Sequence, residues 1–150
     1  MASLEEEIKQ PNFKSIYQKA FINLMFTSGW VQARQNQIFR KYDLTGPQFN
    51  ILRILRGQYP NPATVNLLIE RMLDKTSNAS RIVDKLVSKG LVTRQPCPQD
   101  RRTVDVLITQ AGLNLLQRID EAEENLHSGL QNLSEAEATE FSRLLDKIRG

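Results

Sequence analysis

Between Ala79 and Val87 the apolar side chains fall at Ala79, Ile82, Val83, Leu86 and Val87, the spacing of a helix with one buried face. Lys89-Gly90 then supplies a last-turn cation and a glycine suited to the position just past a helix end. Leu91 to Gln95 and Val104 to Ile108 follow at once as short β-prone runs. The polar segment Pro96-Cys97-Pro98-Gln99-Asp100-Arg101-Arg102 joins them, so the pair reads as a two-stranded hairpin with a long tip. A helix stopped this sharply and followed directly by a hairpin restricts the fold more than any bulk property does.

The segments around this unit fill in the order. Phe13 to about Arg40 reads as a long helix, with Ile16, Ala20, Leu24, Val31 and Ile38 on one side and Tyr17, Phe21, Met25 and Trp30 widening the apolar surface. A helix apolar over more than one stripe must bury more than one face, against its own core or a second subunit. Thr45 with Gln48 three residues on, and Pro47 between, is a capping-box start. Phe49, Leu52 and Leu55 then give a short helix ending near Gly57, and Thr64 opens another through Leu67, Leu68 and Met72. Asp74 or Thr76 is the expected cap of the next helix, read from Thr76 to Lys89. After the hairpin, Thr109 caps a long helix with Leu115, Leu116, Ile119, Ala122 and Leu126 on one side. Ser134 with Glu137 opens a last helix through Phe141, Leu144, Leu145 and Ile148. The expected fold is mainly α, with three short helices and a two-stranded β wing in winged helix-turn-helix order.

At 150 residues the chain suits one domain. The net charge is only +3, so its distribution carries the information. From Arg71 to Arg102 there are eight Lys or Arg against three acids, whereas Asp120 to Glu140 holds seven acids and no Lys or Arg. One surface suits a polyanion and another avoids it. Charged or amide side chains interrupt every apolar run before it reaches membrane-spanning length. Glu5, Glu6 and Glu7 are the opposite of a signal peptide's basic start, and the single Cys97 cannot form an intrachain disulfide, so a reducing cytoplasm is the expected location.

On the helix from Thr76, the face opposite the apolar stripe holds Ser77, Arg81, Asp84, Lys85 and Ser88, flanked by Asn78 and Ser80. The N-terminal part of a helix lying in the major groove meets base edges, where Arg pairs with guanine, Asn with adenine, and Ser or Thr with bases or phosphates. Thr76, Ser77, Asn78, Ser80 and Arg81 therefore form a candidate reading head, with Lys75 and Lys85 as nearby cations. The hairpin adds Arg94 on its rising strand and Arg101 and Arg102 at its tip, which suits a narrow minor groove.

The stretch from Asp74 to Gly112 closely resembles the DNA-binding lobe of the MarR family of bacterial regulators. The resemblance rests on the run Ser80-Arg81-x-Val83-x-x-Leu86-x-x-Lys89-Gly90-Leu91-Val92, on Asp100-Arg101-Arg102, and on Val104-x-Val106-x-Ile108-Thr109-x-x-Gly112. It implies a homodimer with a winged lobe at about residues 43–110 and dimerisation helices at about 10–40 and 110–150. The apolar helix from Phe13 and the stripe of Ile119, Leu126, Leu130, Leu133, Phe141, Leu145 and Ile148 would form that interface. By the family pattern Arg102 is the wing arginine, and Asp100 supports the wing by orienting it through a charge-assisted bond. The implied partner is double-stranded DNA with a pseudo-palindromic site. The implied effector is a small aromatic or phenolic inducer, with no cofactor and no metal. Trp30, Tyr17, Phe21 and Phe26 are candidate pocket residues, although such a stripe is first of all expected to be core.

Other readings stay open at this level. One is a winged-helix interaction module that binds protein or RNA and no DNA; another is a redox-sensing regulator acting through Cys97. Catalysis has no visible constellation: His127 and Cys97 are isolated, no glycine-rich phosphate loop occurs, and Glu121, Glu123 and Glu124 read as a solvated helix face. The chain is not expected to be an enzyme.

Overall fold

The computed structural model describes residues 1–123 and 126–150. In chain order the elements are α1 (Leu4–Glu7), α2 (Ile16–Arg40), α3 (Gly46–Gln58), β1 (Ala63–Thr64), α4 (Val65–Arg71), α5 (Ala79–Ser88), β2 (Val92–Pro96), β3 (Val104–Ile108), α6 (Gln110–Ala122), a 3-10 turn (Leu130–Asn132) and α7 (Glu135–Arg149). None of the described helices is long and apolar enough to cross a membrane.

The local signals behave as their chemistry requires. Thr45 and Gln48 cap α3 reciprocally: the Gln48 N–H donates to Thr45 Oγ1 at 3.3 Å and the Thr45 N–H to Gln48 Oε1 at 3.2 Å. Ser134 and Glu137 do the same for α7, and Thr64 and Thr109 cap α4 and α6. α2 begins at Ile16, capped by Ser15, three residues beyond Phe13. α1, which the sequence reading did not anticipate, is one turn carrying its own capping box from Ser3 and Glu6.

Two boundaries differ from expectation for a physical reason. α5 starts at Ala79 and its cap is Asn78, whose side chain accepts the Arg81 N–H at 3.1 Å. Asp74 and Thr76 do not cap it, because the Asp74 carboxylate is already bonded to the turn before the helix. α6 ends at Ala122, not beyond Leu126. Glu123 leaves helical geometry there and its carboxylate accepts from Tyr42 Oη at 3.1 Å and Lys41 Nζ at 3.3 Å. Glu123 is thus no solvated face residue; Glu124, read with it, lies outside the described residues.

The sheet has three strands in the order β1-β3-β2, all antiparallel, where two were expected. β2 and β3 form the hairpin, registered from Val92 opposite Ile108 to Pro96 opposite Val104. β1 adds a two-residue edge, Ala63 opposite Val106 and Thr64 opposite Asp105. It is too short to show any alternation in sequence.

The core joins the inner faces of α3, α4, α5 and α6 to the sheet through Ile51, Leu52, Leu68, Val83, Leu86, Val106, Leu116 and Ile119, each fully buried. Phe39 from the end of α2 stacks on Phe49 with ring centroids 4.5 Å apart. Gly112 sets the closest approach: a Cβ there would lie 2.5 Å from the Leu91 carbonyl oxygen and 2.6 Å from Ile108 Cγ1. α6 can lie against the base of the hairpin only because that carbon is missing. Ile119 belongs to this core and not to an intersubunit stripe, and Leu126 packs partly against it.

The long helices are built differently. Among the described residues, Phe39 is the one buried position on α2, and α7 has none. Tyr17, Phe21 and Trp30 are exposed by 79%, 63% and 43%, so the aromatic stripe is not core within this chain.

Candidate DNA-binding surface

Asp74 organises the start of the site. Its Oδ1 accepts the Thr76 N–H at 2.9 Å and the Thr76 hydroxyl at 2.6 Å, and its Oδ2 accepts the Ser77 hydroxyl at 2.9 Å. These bonds, led by the Thr76 hydroxyl, hold the Asp74 carboxyl below the usual aspartate range. An ionised carboxylate only accepts, so both hydroxyls donate inward and present lone pairs outward. They are set to accept from an amino group. Asn78 has its carboxamide oxygen on the helix cap, which leaves its amino group to donate.

On α5 the apolar residues Ala79, Val83 and Leu86 face the core, and Ser80, Arg81, Asp84, Lys85 and Ser88 are exposed on the other side. The helix therefore presents the polar face that its periodicity requires. Ser88 turns its hydroxyl back to the Lys85 carbonyl at 2.6 Å.

The hairpin tip is held by its own backbone. The Cys97 N–H bonds to the Thr103 carbonyl at 3.0 Å, and the Thr103 N–H to the Asp100 carbonyl at 3.0 Å. Asp100 Oδ1 accepts the Arg102 main-chain N–H at 3.0 Å. Asp100 thus shapes the turn through the peptide group of Arg102, where a bond to its guanidinium was expected. Arg101 and Arg102 are exposed, and among the described residues neither guanidinium has a protein partner. Cys97 is half-buried, with its thiol 3.2 Å from Gln99 Oε1.

The cations anticipated from sequence fall into two groups. Arg81, Lys85, Arg101 and Arg102 have side chains without a protein partner among the described residues. Lys75 and Arg94 are engaged. Lys75 Nζ donates to the Ile69 carbonyl at 3.2 Å and to the Glu70 carbonyl, placing a cation at the C-terminal end of α4. Arg94 is ion-paired to Asp84 of α5. That pair joins a helix to a strand ten residues later, and no periodicity in the sequence points to it. Among the described residues no group of three or more His, Cys, Asp or Glu is placed to hold a metal.

A second polar cluster ties the winged unit to α2 and α6. Arg56 pairs with Asp120 at 2.6 Å, Glu123 takes the Tyr42 and Lys41 bonds, and Gln35 Nε2 donates to the Leu126 carbonyl at 3.3 Å. Burial, then the Glu123 carboxylate, pushes the Tyr42 phenol upward. An open apolar groove runs between α2 and α7, about 790 Å³ in volume, with Tyr17, Phe21, Leu24, Phe141 and Leu145 among its lining residues.

This arrangement is shared with known proteins. A family model described as "MarR family" matches residues 42–103. The transcriptional regulator PecS of Dickeya dadantii is 30% identical over 115 residues, covering 75% of this chain and 69% of PecS. A mutant MarR of E. coli, solved in complex with operator DNA, superposes with a TM-score of 0.71 at 26% identity, covering 98% of this chain and 99% of that one. BpsR of Bordetella bronchiseptica, whose structure addresses regulation of DNA binding by 6-hydroxynicotinic acid, shares the fold with a TM-score of 0.78 at 22% identity, covering 92% and 98%. A helix with a free cationic face, a hairpin with a free arginine tip, and relatives matched over most of their own length lead to one assignment: the chain belongs to the MarR family of DNA-binding transcriptional regulators.

Proposed function

We propose that the chain is a dimeric repressor that reads a pseudo-palindromic DNA site with α5 and grips the flanking backbone with its wing. The observation that carries this reading is the set of uncommitted cations, Arg81 and Lys85 on α5 and Arg101 and Arg102 on the tip, on the unit whose core joins α3, α4, α5, α6 and the sheet. Arginine beside an exposed amino donor and two outward lone-pair acceptors is a base-reading set. Free arginines on a projecting hairpin suit phosphate and a narrow minor groove. The E. coli relative solved in complex with operator DNA supports DNA as the partner. The reading requires no enzymatic step and no cofactor, and it places the protein in the cytoplasm with the DNA.

The exposed apolar faces of α2 and α7 support the two-fold dimer, in which a second copy would cover them. A small aromatic acid or phenol is the proposed effector. BpsR supports that class, as does the RdhR regulator solved with 2,4-dichlorophenol. Tyr17 and Phe21 line the open groove between α2 and α7, and Phe26 and Trp30 line a smaller pocket beside Leu4.

Fluorescence anisotropy against the DNA upstream of its own gene, with random duplex as control, tests the function at two salt concentrations. Binding on the order of a thousandfold tighter than the control, falling steeply with salt, is the expected result. Equal affinity for both duplexes at both salts would remove sequence-specific recognition at this region. Added aromatic acids should release the specific complex, and a panel without effect would remove the effector.

A further inference from the structure

Arg94 stands on the hairpin among residues suited to phosphate, yet its geometry is that of a brace. Strand side chains alternate between faces, so Arg94 shares a face with Val92, which is buried, while Thr93 and Gln95 point the other way. Its register partner, Val106, is also fully buried. The guanidinium therefore leaves the sheet on the side packed against α5, where it meets Asp84.

Asp84 is the acid on the exposed face of α5. It lies three residues from Arg81 and next to Lys85, both uncommitted. On an isolated helix a guanidinium at i and a carboxylate at i+3 are neighbours that can pair, although in the weaker of the two orders, and that pairing would occupy Arg81. The ion pair with Arg94 instead leaves Arg81 free. It also cancels a negative charge that would otherwise face the phosphates that Arg81 and Lys85 attract.

We propose that Arg94 is a positioning residue: it neutralises Asp84 and locks α5 to the wing, so that Arg81 stays available to DNA, and it is not itself a DNA ligand. This rests on the DNA-binding reading above. It makes Arg94 and Asp84 one unit, so the effect of removing either must depend on whether the other is present.

The test is a double-mutant cycle on the full-length protein with R94A, D84N and R94A/D84N. Anisotropy is measured against a random-sequence 30-base-pair duplex from low to moderate salt, so that no operator need be known. Removing Arg94 should weaken binding about tenfold in the parent and by about twofold or less in the D84N background. The dependence of log affinity on log salt should have the same slope in the parent and the double variant, because no phosphate contact is lost. Both residues are exposed, so unfolding midpoints should stay together; R94Q replaces R94A if that variant alone is unstable. An equal loss on removing Arg94 in both backgrounds, with a salt slope shallower by about one, would make Arg94 a direct phosphate ligand and overturn the proposal. No loss in the parent would overturn it as well. A parent that binds no duplex even at low salt brings down the DNA-binding reading itself, a result separate from either.

Discussion

The winged unit and the two long helices obey the same periodicity rules and reach opposite ends. In the winged unit the apolar stripes close mainly on one another, with Ile69, Leu73 and Val87 left at the surface, and Ile51, Leu52, Val83, Leu86, Leu116 and Ile119 are fully buried. On α2 and α7 the stripes are as apolar but stay open, with Phe21 exposed by 63% and Ile148 by 69%. Apolar spacing establishes that a face must be covered; it does not say by which chain. The first region closes its main core within one chain, and the second leaves its apolar faces open, which is where the proposed dimer would form.

The most disruptive way to probe that contrast is in the finished region. Leu116→Ala removes a fully buried side chain and should cost about 2–5 kcal/mol, read as a lowered denaturation midpoint. Gly112→Ala should follow at about 1–3 kcal/mol, since its new carbon meets a main-chain oxygen that cannot rotate away. Phe141→Asp, on the open face of α7, should change little within the lobe but shift the mass in analytical ultracentrifugation from dimer to monomer. If it instead lowers the denaturation midpoint of dilute protein as far as Leu116→Ala does, the two regions are not separate in kind.

Smaller effects sharpen the comparison within the DNA surface. Arg102→Ala should weaken binding to specific and random duplex alike, by about tenfold, with an unchanged unfolding temperature. A loss confined to specific DNA would move Arg102 from grip to base reading. The smallest effect concerns pH. Because Asp74 is held below its ordinary 3.8, its bonds to Thr76 and Ser77 contribute fully above that value and are lost as pH falls through the lower folded one. The protection of the Thr76 amide, its exchange rate relative to the intrinsic rate at the same pH, should therefore fall only in acid, and Asp74→Ala should remove that protection at neutral pH. A Thr76 amide indifferent to both would detach the turn from Asp74.

What was legible in the sequence was local. The Thr45–Gln48 and Ser134–Glu137 boxes and the stripe from Ala79 to Val87 involve residues within a few positions of one another, and each forms. The α5 cap was ambiguous because Asp74, Thr76 and Asn78 all have capping side chains, and only the turn geometry assigns the bonds among them. Features that cross between elements left no local trace. β1 is too short to alternate, the Asp84–Arg94 pair spans a helix and a strand, and Glu123 finds Tyr42 across 81 positions. The reading head was thus visible as a set of residue types. Which of the candidate cations around it lack a protein partner was not, since Lys75 and Arg94 look like Lys85 and Arg102 until their partners are seen.

β1 carries a mechanical consequence out of proportion to its two residues. Thr64 is at once the register partner of Asp105 on the hairpin and the cap of α4, while Arg94 fastens the hairpin's other strand to α5. The wing is clamped on both flanks, so it and α5 behave as the fixed jaws of a calliper. In the proposed DNA-binding role such a gauge would accept a duplex by its width. DNA stiff at the wrong spacing would have to deform to enter, and the sequence-dependent cost of that deformation would add to recognition.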